Sequence, residues 1–197
     1  MLLTAWGYEA EDLPSLLSIQ DFNSMTGNRY AGDMRAVVAL DAASQAVRNA
    51  CGWHVSPSLE CRAVPLLVQP RLVALPANAV TVIAKVTENG TVLSSGQYEW
   101  RRDGLIRRAC FECWPTNWNA VEVEYTAGFD ADAVPDLKEA VRSIAEGVLA
   151  VAAGVNSESA DGVSISYSAN ASSIAAALTE QQRNALAPYR LVVSHAA

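Results

Sequence analysis

Two stretches of helical periodicity, separated by a long segment that has lost it, constrain this chain more than any other feature of its sequence. In the first, Asp33 offers an N-cap, and Val37, Leu40, Ser44, Val47 and Cys51 then recur at alternating three- and four-residue steps. They draw one stripe, with Arg35, Asp41, Arg48 and Asn49 off it and Gly52 placed to close the helix. The second stretch opens at Pro135, with Asp132 and Asp136 near the positive end of the helix dipole. Leu137, Val141, Ile144, Val148 and Val151 carry its stripe to a stop at Gly154. Between them, Leu59 to Thr126 reads as strands. Val80, Val82 and the segment to Thr87 are rich in β-branched residues, and Asn89-Gly90 marks a two-residue turn before Thr91. Gln97 to Arg102 returns through Leu105 to Cys110 around Asp103-Gly104, and Val121, Val123 and Tyr125 alternate with Glu122 and Glu124. Five or six antiparallel strands are expected.

The flanks are shorter. Residues 1–17, with Pro14, read as an arm or irregular lead-in. Ser18-Ile-Gln-Asp21 pairs an N-cap with an acid three residues on, which predicts a short helix ending near Gly27. Gly162 to Ser168 sets Val163, Ile165 and Tyr167 against serines, as a strand or extended arm would. Thr179-Glu-Gln-Gln182 is a capping box for a short helix through Leu186, stopped by Pro188. The fold class is therefore α+β: a helical core of two longer helices plus short ones, an antiparallel β insertion between the main helices, and a C-terminal arm. The segments are 1–58 (N-terminal arm and helices), 59–127 (β insertion), 128–161 (second long helix) and 162–197 (arm with short helix), in one domain overall. Residues up to Asp161 are expected to bury a core by themselves, so a chain cut there is expected to stay folded.

Composition excludes several functions. A formal net charge of −7 lacks the positive surface that a general grip on phosphates requires. The first cationic side chain is Arg29, so the start lacks the charged region of a secretory signal, and the weakly polar run Gly147 to Val155 is too short to span a bilayer. Synthesis in a reducing cytoplasm is expected, with Cys51, Cys61, Cys110 and Cys113 as free and mostly buried thiols. Only 18% of the residues are charged, which modestly favours surface hidden in partners.

Residues that could carry chemistry are few. Cys51, His54, Cys61, Cys110 and Cys113 include enough donor types for zinc, but Cys51 lies on a helix stripe and only one Cys-x-x-Cys pair exists. That pair, Cys110 and Cys113, follows a strand, whereas reactive thiolates favour a helix N-terminus. A Cys61 bridge to this pair on oxidation stays open. His54 and His195 are the histidines, and a loop histidine bonded to a carbonyl is the expectation for His54. There is no phosphate-binding glycine loop and no βαβ alternation. No catalytic, cofactor or metal residue is assigned. One charge feature stands out. Arg101, Arg102, Arg107 and Arg108 crowd four of fourteen cationic side chains into one hairpin, either as solvated surface or as forks for an acidic neighbour or DNA.

Several segments, taken in order, resemble the head–tail connector (adaptor) family of tailed bacteriophages. They are Ala42-Ala-Ser-Gln-Ala-Val-Arg-Asn-Ala-Cys-Gly-Trp-His54, the hairpin Val80 to Leu93, Tyr98 to Arg107, Val121 to Phe129 with its Tyr-Thr-Ala-Gly-Phe end, and Val134-Pro-Asp-Leu137. Glu158, Val163-Ser-Ile-Ser-Tyr167 and Leu186-Ala-Pro-Tyr-Arg190 complete the resemblance, which covers roughly residues 16 to 190. Further basic residues would be expected after Arg190, where Leu191-Val-Val-Ser stands instead.

The resemblance implies a virion structural protein and not an enzyme: a ring subunit, commonly one of twelve, under the portal in the neck between capsid and tail. Implied partners are the portal protein, neighbouring copies of the chain, a stopper or tail-completion protein, and genomic DNA passing through without specific binding. No membrane and no cofactor are implied. Leu186, Tyr189 and Arg190, with Arg101, Arg102, Arg107 and Arg108, are the expected portal or neighbour contacts. Glu122, Glu124, Asp130 and Asp132 are the acids expected to face the channel, where repulsion over roughly a Debye length of 8–10 Å would keep DNA from sticking. The alternatives are another neck component, such as a stopper, or a zinc or thiol enzyme.

Overall fold

The structure, a computed structural model, describes residues 1–152, 157–160, 163–166 and 178–191. These form a mixed α+β fold whose residues group into two compact units. One is β-rich and holds Met1–Leu13, Cys51–Ala133 and the stretch from Tyr189; the other is helical and runs through Pro14–Ala50 and from Val134 to Pro188.

The helical unit is built from α1 (Ile19–Met25), α2 (Met34–Cys51, its last residue in the β unit), α3 (Pro135–Ala152) and the short helix Glu180–Leu186. Local signals set each start. The Ser18 side chain accepts from the Asp21 amide at 3.0 Å, Asp33 from the Arg35 amide at 2.9 Å, and Thr179 and Gln182 satisfy each other's amides in a capping box. In α2 the buried face comprises Ala36, Ala39, Leu40, Ala43, Ser44, Ala46 and Val47. Two expectations are corrected there. Val37 is 43% exposed, because the small side chains let a different face approach its neighbours. Arg48 is buried, and its guanidinium donates to the Pro14 carbonyl at 2.6 Å. Along α3, Leu137, Val141 and Ile144 are buried as the period predicts, but Leu149 takes the place expected for Val148, which is half-buried. The helix Glu180–Leu186 packs on α3, with Gln182 donating to the Ser143 hydroxyl at 3.2 Å and Leu186 fully buried. Two further strands, β11 (Ser157–Ala160) and β12 (Val163–Ser166), pair antiparallel in this unit. The side chain of Val151, and Gly154, Gly162, Tyr167 and Ser168, lie outside the described residues.

The β unit contains two antiparallel sheets in place of one. The first orders β1 (Leu2–Leu3), β2 (Glu9–Ala10), β3 (Leu59–Ala63), β10 (Val121–Ala127), β6 (Val80–Glu88) and β7 (Thr91–Val92). The second orders β4 (Leu66–Gln69), β5 (Leu72–Ala74), β9 (Leu105–Arg108) and β8 (Tyr98–Trp100). Two sequence expectations change. Residues 1–17 include a hairpin, β1–β2, that joins the larger sheet through β2 and β3, and the span from Leu59 to Thr126 holds more than six strands. Several of these strands are two to four residues long, too short to show a period in sequence.

Strand β10 is central and follows its alternation closely. Val121, Val123, Tyr125 and Ala127 are buried, while Glu122 and Glu124 on the other face pair with Arg62 at 2.7 Å and Lys85 at 3.2 Å on the flanking strands. Asn89 and Gly90 both take positive φ (49° and 80°) in the β6–β7 turn, as the sequence requires. After β10, Gly128 has φ 122°, and a Cβ there would lie 2.3 Å from the Pro57 carbonyl oxygen, so no larger residue fits.

Buried aromatics tie the ends of the chain into this unit. Trp53 Nε1 donates to the Tyr189 carbonyl at 2.6 Å, the Tyr189 ring meets Phe129 edge to face, and the Leu191 amide donates to the Cys51 carbonyl at 3.1 Å. The segment expected to be a detachable arm therefore contributes to both hydrophobic cores, through Leu178 and Leu186 in one unit and Tyr189 in the other.

Candidate assembly surface

The arginine hairpin β8–β9 divides into two kinds of residue. On β9, Ile106 and Arg108 share one face and Leu105 and Arg107 the other, since side chains alternate along a strand. Ile106 is fully buried, and Arg108 goes in with it. Its guanidinium pairs with Glu88 at 2.8 Å and Glu112 at 3.0 Å, donates to the Gln97 carbonyl at 3.0 Å, and lies over the Trp114 ring, 5.4 Å from its centre. Because Glu88 ends β6 and Arg108 ends β9, this pair links the two sheets. Arg107 is exposed and pairs with Glu99 across the hairpin; Arg101 is 75% exposed and pairs with Asp103 at 2.8 Å in the turn. Arg102 is exposed with no ion pair among the described residues.

The remaining expected contacts separate in the same way. Leu186 and Tyr189 are buried within their own units, and Arg190 is exposed, its carbonyl accepting from the Asn78 side chain at 2.8 Å. Among the acids, Glu122 and Glu124 are half-buried and make cross-strand pairs, and Asp130 and Asp132 lie exposed in the segment after β10.

The groups considered for chemistry are placed as follows. His54 is fully buried: its Nε2 lies 3.0 Å from the Ala127 carbonyl and its Nδ1 lies 2.7 Å from the Tyr8 hydroxyl. A carbonyl only accepts, so Nε2 carries the proton, and the Tyr8 oxygen in turn accepts from the His54 amide at 3.0 Å. The ring is a structural bracket between the lead-in hairpin and β10. Cys51 and Cys61 are buried, and burial pushes each thiol up from 9.0 to about 12, opposite to what a nucleophile or metal ligand needs. Cys110 and Cys113 are exposed, which corrects the expectation of mostly buried thiols. Among the described residues, no three His, Cys, Asp or Glu side chains converge on a point that could hold a metal ion, and no helix is long and apolar enough to cross a membrane.

The buried thiols make stability depend on alkaline pH. A raised thiol pKa leaves the folded chain holding protons that the unfolded chain has released, so stability is full below pH 9 and falls as pH rises toward 12. The Tyr125 hydroxyl, raised by burial and then by Cys61 and Tyr8, acts in the same sense at higher pH. Between pH 9 and 10 each thiol is expected to remove about 1 kcal/mol. Urea midpoints at pH 8 and pH 10 measure this, and Cys61→Ala should reduce the difference by about half, Cys51 supplying the rest; a midpoint independent of pH would contradict it.

Sequence reasoning passed over the apolar surface. Leu66, Leu67 and Val68 on β4 are 38–40% exposed, and Phe111 and Trp118 in the loop between β9 and β10 are 88% and 96% exposed. The signals were an apolar strand bracketed by Pro65 and Pro70, and an aromatic-rich loop with no period.

No family model matches the sequence, and no curated protein matches it. Solved structures do. A chain in the neck of a native gene transfer agent (GTA) particle, computed with C12 symmetry, superposes with a TM-score of 0.60 at 19% identity, over 100% of this chain and 99% of that one. The fold is shared with a particle neck. A chain in the neck of an empty GTA particle, computed with C6 symmetry, gives 0.58 at 18% identity, over 96% and 98%. One in the virion of a native GTA particle gives 0.59 at 17%, again over 96% and 98%. The likeness to the neck chains thus takes in both the helical and the β unit, and at this identity it is a likeness of fold.

Proposed function

We propose that this chain is a head–tail connector (adaptor) subunit of a phage-like virion, working by assembly and without turnover. Copies form a ring, commonly of twelve, beneath the portal protein in the neck between capsid and tail; the ring continues the DNA channel and receives a stopper or tail-completion protein. The observation that carries this reading is the full-length likeness to chains from particle necks computed with C12 and C6 symmetry. Cys51 and Cys61, buried and with their thiols pushed up, do not favour a zinc site built on them.

In this reading the exposed Arg101, Arg102, Arg107 and Arg190 serve as contacts to the portal or a neighbour, and Leu186, Tyr189 and Arg108 hold the subunit's own shape. Asp130 and Asp132, more exposed than the half-buried Glu122 and Glu124, are the better placed by exposure to repel DNA phosphates from a channel wall. Made in the host cytoplasm, the subunit then becomes part of the virion.

Electron microscopy of the particle neck tests the proposal. Density for this chain is expected in a closed ring between portal and tail, and particles lacking the chain are expected to hold DNA-filled heads without tails. Complete, tailed particles without this chain would reject it.

A further inference from the structure

The four-stranded sheet has two open edges of opposite direction. Its order is β4-β5-β9-β8, and each neighbouring pair is antiparallel. Along four alternating strands the first and last run in opposite senses. A second copy added head to tail would therefore bring its β8 beside β4 antiparallel, and the alternation would continue without a break.

The β4 edge bears the marks of a strand awaiting a partner. Every residue of β4 is exposed, none is charged, and Leu66, Leu67 and Val68 present apolar side chains on both faces. Soluble proteins usually guard such an edge with charge. Here Pro65 and Pro70 bracket it, so the template is confined to the strand itself. At the other edge Trp100 is 37% exposed on β8. The larger sheet offers no equal: its edge strands, β1 and β7, are two residues each.

We infer that β4 of one copy pairs with β8 of the next, joining the small sheets of neighbouring subunits by main-chain hydrogen bonds. This deepens the ring reading and rests on it. A second copy is the occupant because one addition satisfies both edges at once, and because two different edges make a heterologous contact, the kind that closes into a ring. Strand addition supplies affinity through the backbone, while Leu66, Leu67, Val68 and Trp100 supply the apolar contacts that set register.

Disulfide trapping in assembled particles tests the pairing. The full chain carries Cys110→Ser and Cys113→Ser, to silence the exposed thiols, together with Glu99→Cys and one of Leu66→Cys, Leu67→Cys or Val68→Cys. Mild oxidation is expected to produce a ladder of covalent multimers from one of the three, at least about tenfold more than from the others, since a disulfide needs Cα atoms roughly 4.4–6.8 Å apart. Rings seen by microscopy with no trapping at any of the three would overturn the pairing and leave the ring reading intact. So would trapping of Leu67→Cys to itself, which means β4 on β4, or to a different neck protein. Absence of rings defeats the ring reading, and the pairing with it. A second variant, Leu67→Lys, is expected to leave the melting temperature of the isolated subunit unchanged and to lower the yield of tailed particles at least about tenfold; full yield counts against the pairing.

Discussion

A chain ending at Asp161 is expected to be unfolded, with no cooperative melting transition by circular dichroism. The cut removes Leu178 and Leu186 from the helical unit and Tyr189 from the β unit, all of them buried. At about 1.5–3 kcal/mol for each large apolar side chain, the lost burial alone comes to several kcal/mol. It also strands Trp53 Nε1, whose acceptor is the Tyr189 carbonyl, at a further cost of about 1–3 kcal/mol for a buried donor left unsatisfied. Domains of this size are stable by only about 5–15 kcal/mol, so the sum is comparable with everything that holds the chain folded. A chain ending after Leu191 keeps these groups and is expected to melt cooperatively. If the chain cut at Asp161 melts cooperatively near the full-length temperature, the carboxy-terminal contacts described above do not hold the fold.

Arg108→Ala is expected to destabilise the subunit by about 3 kcal/mol, whereas Arg107→Ala is expected to change its stability by less than about 0.5 kcal/mol. The two arginines are adjacent in sequence and opposite in fate. Arg108 is almost wholly buried between Glu88, Glu112, the Gln97 carbonyl and the Trp114 ring, and its loss leaves the half-buried Glu88 without its cation. Arg107 sits in solvent beside an equally exposed Glu99, where an ion pair contributes little. Urea midpoints of the two variants at pH 7 decide the matter. In the assembly reading the order reverses for contacts: Arg107→Ala should cost particle yield while the purified subunit melts normally. Equal stability loss from both substitutions would mean that Arg108 is not the link between the sheets.

The pair also shows how much was legible. The sequence displays four arginines in one hairpin as a cluster, and charge alone does not distinguish one from another as a contact. Strand alternation already set Arg108 on the same face as Ile106, so the buried partner could have been read from the period once the strand was located. The acids behave likewise: alternation sets Glu122 and Glu124 on one face of a strand, but their pairing with Arg62 and Lys85 depends on β3 and β6 lying on either side of β10.

What the sequence determined by itself is what neighbours within a turn or a pleat decide. The caps at Ser18, Asp33 and Thr179, the Asn89-Gly90 turn, the entry of α3 at Pro135 and the alternation of β10 all follow from contacts a few residues apart. Tertiary structure alone decided the division of strands between two sheets, the recruitment of the first residues to a sheet edge, and the burial of Tyr189 against groups far back along the chain. These depend on which partners meet after long loops close, and a two- to four-residue strand such as β4 carries no periodic mark of the partner it will take.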